Sequence, residues 1–97
     1  LINSTNYNTK DKEEETFMIE QYGSRPSLPI LFGQRIRQLR LEKKMSQEDF
    51  AELIGVHRTY LGQIERAEKN ITIKNIEKIC TALKIDPKEL FDFSNLD

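Results

Sequence analysis

Residues 58–70 carry the polar side chains of this 97-residue chain that are best suited to bind another molecule. Arg58 can make two hydrogen bonds to O6 and N7 of guanine, and Gln63 can do the same to N6 and N7 of adenine. Thr59 offers a methyl group that suits thymine, and Gly62 would let the surrounding backbone approach a base edge closely. These residue types at this spacing predict a surface that reads base edges in a DNA groove.

A second set of residues suits the sugar–phosphate backbone of DNA. Lys69 and Asn70 would fix the register of the bound protein without reading its sequence. Gln47 would bond a phosphate beside the N-terminal amides of a helix. His57 could cap a helix, touch a phosphate or do neither, and Tyr60 could reach the DNA backbone or the protein core. The predicted backbone contacts are Gln47, His57, Tyr60, Arg66, Lys69 and Asn70.

Two short helices joined by a tight turn would place these side chains on one exposed face. Within residues 47–66, Ala51 is small where two steeply crossing helices would touch, and Gly55 can adopt the positive φ of a tight turn. The apolar residues of the same stretch recur at positions that face inward, namely Phe50, Ile54, Val56, Leu61 and Ile64. The pattern predicts a helix-turn-helix unit, with an ordinary αα-corner that never meets DNA as the alternative.

The rest of the chain predicts an all-α fold, since apolar residues recur at helical spacing and no strand-like alternation is present. The predicted helices span residues 30–44, 47–54, 58–67, 73–83 and 87–91. Ser46, Thr72 and Asp86 are suitable N-caps for the second, fourth and fifth of these helices. The expected architecture is a compact all-α domain of five helices.

Composition divides the chain into three parts. Residues 1–29 are polar or rich in turn-forming residues, apart from the apolar run 17–22, and are predicted to be a flexible N-terminal extension and linker. A fragment boundary, a non-standard start or a true start at Met18 would each explain why the chain begins with leucine. Residues 30–93 form the predicted helix-turn-helix domain, and residues 94–97 form a C-terminal tail.

Charge is distributed unevenly along the chain. The formal net charge is −1, which lacks the strong basic excess of many nucleic-acid-binding domains. Residues 31–70 nevertheless contain eight basic and six acidic side chains, whereas the segments on either side are acidic overall. The positive surplus therefore falls on the motif, where a groove-binding face needs it.

Catalytic, metal and cofactor sites are not expected. The single histidine, His57, and the single cysteine, Cys80, lie on different predicted helices without metal-ligand spacing. Cys80 occupies an apolar helical position and is predicted to be a core residue. One cysteine cannot form an internal disulfide, so the reducing cytoplasm is the expected compartment. No apolar run approaches the roughly 18 residues of a membrane span, and no signal peptide is visible.

Charged and apolar side chains outside the motif predict three further contacts. Arg40 and Glu65 should form a structural pair between the first and third helices. Glu48 and Glu52, four residues apart, form either a solvated strip or a contact surface for RNA polymerase. The last two helices carry more apolar surface than so small a core needs. A homodimer would explain this surplus, with an interface formed by Ile85, Leu90, Phe91 and Phe93.

Residues 31–93 resemble the phage repressor and Cro type of helix-turn-helix domain, through the segments IRQLRLEKKMSQEDFAELIGV and YLGQIER. The segment HRTYLGQIERAEKNITIKNIEKICTAL is especially similar to controller proteins of restriction-modification systems. The resemblance implies a compact five-helix DNA-binding domain of the lambda-repressor type. It implies a homodimer joined through the fourth and fifth helices, bound to operator repeats that overlap a promoter. It also implies activation at low occupancy and repression at high occupancy. Ala67 stands where members of this family usually have glycine.

In that family, the positions of Arg58, Thr59 and Gly62 lie at base edges. Those of Gln47, Tyr60, Lys69 and Asn70 lie near the DNA backbone. The expected function is therefore a sequence-specific transcriptional regulator on double-stranded DNA, and most specifically a restriction-modification controller. A phage-type repressor, an antitoxin or another regulator on the same fold is the first alternative. A helical module that binds protein through the same face is the second.

Overall fold

The computed structural model describes residues 26–96, and these residues fold into five α-helices. The predicted all-α, five-helix class is confirmed. The helices are α1 (Leu28–Glu42), α2 (Gln47–Ile54), α3 (Arg58–Glu65), α4 (Ile73–Leu83) and α5 (Pro87–Leu90). The bounds of α2 and α4 match the prediction. Helix α1 begins and ends two residues earlier than predicted, α3 ends at Glu65 instead of residue 67, and α5 ends at Leu90 instead of residue 91. Most of the predicted N-terminal extension lies outside the described residues.

Side chains that cap helix N-termini explain where three helices begin. The Ser46 hydroxyl accepts a hydrogen bond from the Asp49 amide at 3.1 Å, and the Thr72 hydroxyl accepts one from the Asn75 amide at 3.1 Å. The Asp86 carboxylate caps α5 in the same way. Each cap satisfies an amide that has no partner inside its own helix. The three predicted N-caps are confirmed.

Residues with positive φ explain where helices end. Gly55 ends α2 with φ 80°, and the amides of Gly55 and Val56 both donate to the carbonyl of Ala51. This is the turn that the glycine predicted. Ala67 also adopts a left-handed conformation, with φ 59°, and the amide of Glu68 donates to the Gln63 carbonyl at 2.8 Å. The turn at Ala67 stops α3 at Glu65, earlier than predicted.

The core lies where the helices meet, and α1 and α2 both pack against α3. Its most deeply buried large side chains are Ile36, Phe50, Leu61 and Leu90. Cys80 is buried among them, as expected, and desolvation raises the pKa of its thiol. With its inner side used in this packing, α3 presents its other side to solvent.

One glycine sets how closely α1 approaches α3. A Cβ atom at Gly33 would lie 2.5 Å from the carbonyl oxygen of Ile64 and 2.8 Å from that of Glu65. Both contacts involve main-chain atoms of α3, so neither can be relieved by a side-chain movement. The absence of a side chain at Gly33 therefore fixes the depth at which α3 is seated and how far its outer side projects.

Candidate nucleic-acid interface

An open groove of about 570 Å³ runs between the N-terminal turn of α2 and the exposed side of α3. Its walls include five of the ten residues that the sequence assigns to DNA contact. Gln63, Lys69 and Asn70 lie outside the lining, as do His57 and Tyr60. The groove is lined by Ser46, Gln47, Glu48, Arg58, Thr59, Gly62 and Arg66.

The N-terminal end of α3 carries the most accessible of the predicted base-reading side chains. Arg58 is the first residue of the helix, and its side chain is 64% exposed. Thr59 is exposed beside it, whereas Gln63, one turn further along, is half-buried. The nearest carboxylate to Arg58 is that of Glu48, 4.0 Å from Nη1. The guanidinium of Arg58 is therefore accessible to a ligand, and Glu48 is its acidic neighbour.

Gly62 forms the floor of the groove between Arg58 and Arg66. A Cβ atom there would meet Nη1 of Arg66 at 3.1 Å and Oε1 of Gln47 at 3.6 Å. Both neighbours are the ends of flexible side chains, unlike the main-chain atoms that surround Gly33. The missing side chain of Gly62 therefore widens the groove and is not required by helix packing.

His57 caps α3, and this contact determines what its ring can offer to a ligand. Nδ1 accepts a hydrogen bond from the amide of Thr59 at 3.0 Å. In a neutral imidazole, a nitrogen that accepts leaves the proton on the other nitrogen, so Nε2 is a donor. His57 is exposed. Capping the helix and donating to a phosphate are thus compatible roles for one side chain.

Three residues assigned to the DNA backbone already have partners within the protein. The amide nitrogen of Gln47 donates to Glu65 at 3.1 Å, so its side chain would have to leave Glu65 before it could donate to a phosphate. The hydroxyl of Tyr60 accepts from the side-chain amide nitrogen, Nδ2, of Asn75 at 3.0 Å, which ties α3 to α4. Arg66 donates to Glu68 at 2.8 and 3.2 Å. Lys69 and Asn70 follow Glu68 and are exposed.

The sequence model of the helix-turn-helix family HTH_3 matches residues 36–90, a span that contains α2, its turn and α3. The chain belongs to this helix-turn-helix family. Within it, control protein C.BamHI of Bacillus amyloliquefaciens is 48% identical over 71 residues, which cover 72% of this chain and 88% of that protein. Control protein C.MunI of a Mycoplasma species is 43% identical over 65 residues, which cover 66% and 88% of the two chains.

A solved structure shows the same likeness. The restriction-modification controller protein C.AhdI from Aeromonas hydrophila superposes with a TM-score of 0.60 at 48% identity, covering 64% of this chain and 94% of that one. Helix-turn-helix regulators outside the controller class match as well. The family resemblance predicted from the sequence is confirmed, including its similarity to controller proteins.

A buried polar network holds the helix-turn-helix unit on α1. Nε and Nη2 of Arg40 donate to the two carboxylate oxygens of Glu65 at 2.7 and 3.0 Å, and Nη1 donates to the carbonyl of Met45. The side chains of Arg40 and Glu65 are only 12% and 4% exposed, respectively, and hydrogen bonding to Glu65 raises the pKa of Arg40. The predicted pair is therefore formed, and Gln47 extends it to the edge of the groove.

The apolar residues predicted for a dimer interface divide into two groups. Ile85, Phe91 and Phe93 are partly exposed, and the ring of Phe91 lies 5.1 Å from that of Phe32 and 6.1 Å from that of Phe93. Leu90 has no exposed surface, because it is enclosed in the core of its own chain. A contact residue needs accessible surface, so Leu90 can only support such an interface from beneath.

Three features of the described residues were not predicted from the sequence. Ile73, at the start of α4, is 80% exposed and is the most exposed large apolar side chain of residues 26–96. The ion pair of Arg66 with Glu68 has a usable signal in the sequence, because the two residues are only two positions apart. The proximity of Glu48 to Arg58 has no such signal, since it depends on how α2 and α3 cross.

The described residues, 26–96, show neither a cluster of three or more potential metal ligands nor a helix that is long and apolar enough to span a membrane.

Proposed function

We propose that this helix-turn-helix protein is a sequence-specific, DNA-binding transcriptional regulator, and that it acts as a restriction-modification controller in the cytoplasm. One observation carries the proposal: α3 presents Arg58 and Thr59 at the mouth of an open groove whose floor is Gly62. An α-helix fits the major groove of B-DNA, where each base pair shows a distinct pattern of donors and acceptors. The similarity to control proteins favours the controller role.

The residues divide by the contacts that they can make. Arg58, Thr59, Gly62 and Gln63 lie on the helix that enters the major groove and read base edges there. Backbone contacts come from the ends of the unit, where Lys69, Asn70 and His57 are exposed and Nε2 of His57 can donate. Gln47 contributes its main-chain amide at the start of α2, because its side chain is engaged by Glu65. Tyr60 and Arg66 complete this backbone set.

The protein is proposed to act as a homodimer joined through α4 and α5. In a two-fold dimer the two recognition helices would lie about 34–36 Å apart and read half-sites one helical turn apart on one face of the DNA. The partly exposed side chains of Ile85, Phe91 and Phe93 support an apolar contact at this end of the domain.

A contact with RNA polymerase through Glu48 and Glu52 is part of the proposed controller role. Both side chains are exposed on α2. Glu48 also lines the groove, so Glu52 is the better placed of the two to meet a protein that binds beside the same DNA site. Glu52→Gln should reduce activation in a transcription assay and leave DNA affinity unchanged.

The decisive experiment is selection of bound sequences from a pool of random DNA duplexes, followed by footprinting on the selected site and on the DNA upstream of the gene. We expect enrichment of two related half-sites. Arg58→Ala should weaken binding to the selected duplex far more than binding to random DNA, since each good base contact is worth about 1–3 kcal/mol. Lys69→Ala is the matched control and should weaken both equally.

Two results would redirect the proposal. A neighbourhood without methyltransferase and endonuclease genes, combined with a selected site elsewhere in the genome, would favour a phage-type repressor, an antitoxin or another regulator of the same fold. A wild-type protein that enriches no sequence and binds no duplex even at low salt would contradict DNA binding. That outcome would favour the helical protein-interaction module.

A further inference from the structure

Both arginines that line the groove have a carboxylate of the same chain as a neighbour. At one end Nη1 of Arg58 lies 4.0 Å from Oε2 of Glu48. At the other end Arg66 makes two hydrogen bonds to Glu68, at 2.8 and 3.2 Å. All four side chains are more than half exposed. Exposed ion pairs contribute little to stability, and although the first turn of α2 favours an acidic residue such as Glu48, the fold does not require a carboxylate partner for both arginines.

The chemistry of the guanidinium group suggests a reason. Arginine has five N–H donors arranged around a plane, so one edge can remain with a carboxylate while another bonds O6 and N7 of guanine. A base edge is uncharged and does not repel that carboxylate. A phosphate brings a full negative charge to within a few ångströms of it, and like charges at that distance repel. A carboxylate partner therefore tolerates a base edge and opposes a phosphate.

We infer that Glu48 and Glu68 are specificity-determining residues: they direct Arg58 and Arg66 toward base edges and away from phosphates, which weakens binding to unrelated DNA. The inference rests on the proposed DNA binding. It also reassigns Arg66 from the backbone contacts to the base-facing ones. The position of its guanidinium supports this, since Nη1 lies 3.1 Å from where a Cβ of Gly62 would be, above the floor of the groove.

Because the two carboxylates repel phosphates, they should weaken binding to random DNA more than binding to a cognate site. Non-specific binding comes almost entirely from cations that replace the counterions of phosphates. Arg58 and Arg66 are the two cationic residues among those that line the groove, so withholding both from phosphates removes a substantial part of what the groove could contribute. Glutamate is ionised at neutral pH at its ordinary pKa, and hydrogen bonding to Arg66 lowers the pKa of Glu68 further.

The test uses Glu48→Gln, Glu68→Gln and the double variant, since glutamine keeps the shape of glutamate and removes its charge. Binding is measured by fluorescence anisotropy on duplexes of about 30 base pairs, which hold two half-sites one turn apart. One duplex is random and the other is selected by the wild-type protein. At low salt we expect about a two- to tenfold gain on random DNA per substitution, with a salt slope steeper by up to about 0.9. The selected duplex should gain less, so the specificity ratio falls.

Glu42→Gln is the matched control, because Glu42 is exposed on α1, outside both the groove lining and the proposed dimer interface, and its substitution changes the net charge by the same amount. An equal gain with Glu42→Gln, or no gain with the groove variants, would overturn the inference while wild-type binding stands. A wild-type protein that binds neither duplex would overturn the proposed function and the inference together. Circular dichroism and thermal unfolding should show that all variants fold like the wild type.

Discussion

At the scale of single residues, the backbone conformation at Ala67 is the least expected feature of the domain. Alanine rarely adopts positive φ, because its Cβ approaches the carbonyl oxygen, and the left-handed conformation costs about 1–2 kcal/mol. Ala67 nevertheless has φ 59°, and it ends α3 just before the predicted phosphate contacts Lys69 and Asn70. The contacts of the Ile64 and Gln63 carbonyls with the Ala67 and Glu68 amides hold this turn in place.

Ala67→Gly should therefore stabilise the domain. Glycine removes the conformational strain, although it also gives the unfolded chain more freedom, so we expect a net gain of about 0.5–1 kcal/mol. Urea denaturation measures the change in the free energy of unfolding. Ala82→Gly is the control, because Ala82 lies in the last turn of α4 and packs against the core, where glycine should destabilise by a similar amount. A loss of stability with Ala67→Gly would show that the turn is not strained.

At the scale of elements, the position of α3 depends on a polar contact and a steric contact with α1. The polar contact is the pair of Arg40 and Glu65, which is almost completely shielded from solvent. Removal of one partner would leave the other charge buried without compensation, and such changes typically cost about 3–5 kcal/mol. The free energy of unfolding of a native protein is only about 5–15 kcal/mol, so the loss of one partner would remove a large fraction of it.

Arg40→Met should accordingly lower the free energy of unfolding by about 3–5 kcal/mol, whereas Arg40→Met combined with Glu65→Met should recover much of that loss. The reason is that the double variant leaves no unpaired charge. Denaturant titration of both variants, with Glu42→Gln as an exposed control on α1, measures the effect. A loss below about 1 kcal/mol in the single variant would mean that the pair behaves like an exposed one.

The steric contact gives a separate prediction at Gly33. Alanine there would improve helix propensity by about 1 kcal/mol, but its Cβ would overlap main-chain oxygens of α3. Overpacking of this kind costs about 1–3 kcal/mol, so Gly33→Ala should be destabilising overall. Gly62→Ala should not be, because the new Cβ meets only side-chain ends. Equal stability of the two variants in urea would refute the close approach of α1 and α3.

At the scale of the whole molecule, the sequence predicted features that depend on local chemistry. Ser46 and Gly55 predicted both ends of α2, because a cap and a positive φ each require particular residue types. Features that depend on how helices cross were not predictable in this way. The sequence predicts Leu90 in a dimer interface, and only the assembled helices show that the core of its own chain encloses it. The neighbourhood of Glu48 and Arg58 likewise exists only once α2 and α3 are assembled.

The proposed homodimer leads to the final prediction, which concerns Ile73. This side chain is 80% exposed on α4, one of the two helices proposed to join the subunits, and an isolated domain gains nothing from it. In a two-fold dimer every interface residue occurs twice. Burial of an isoleucine contributes about 1.5–3 kcal/mol, so Ile73→Asp should raise the dimer dissociation constant on the order of 100-fold or more.

Sedimentation equilibrium measures this dissociation constant directly, and thermal unfolding at several concentrations gives an independent measure, because the melting temperature of a dimer depends on concentration. Leu41→Asp is the control, since Leu41 is also exposed and apolar but lies on α1, outside the proposed interface. Weaker association should also weaken operator binding, because a monomer reads only one half-site. If Ile73→Asp and Leu41→Asp dimerise equally well, the subunits do not meet through the start of α4.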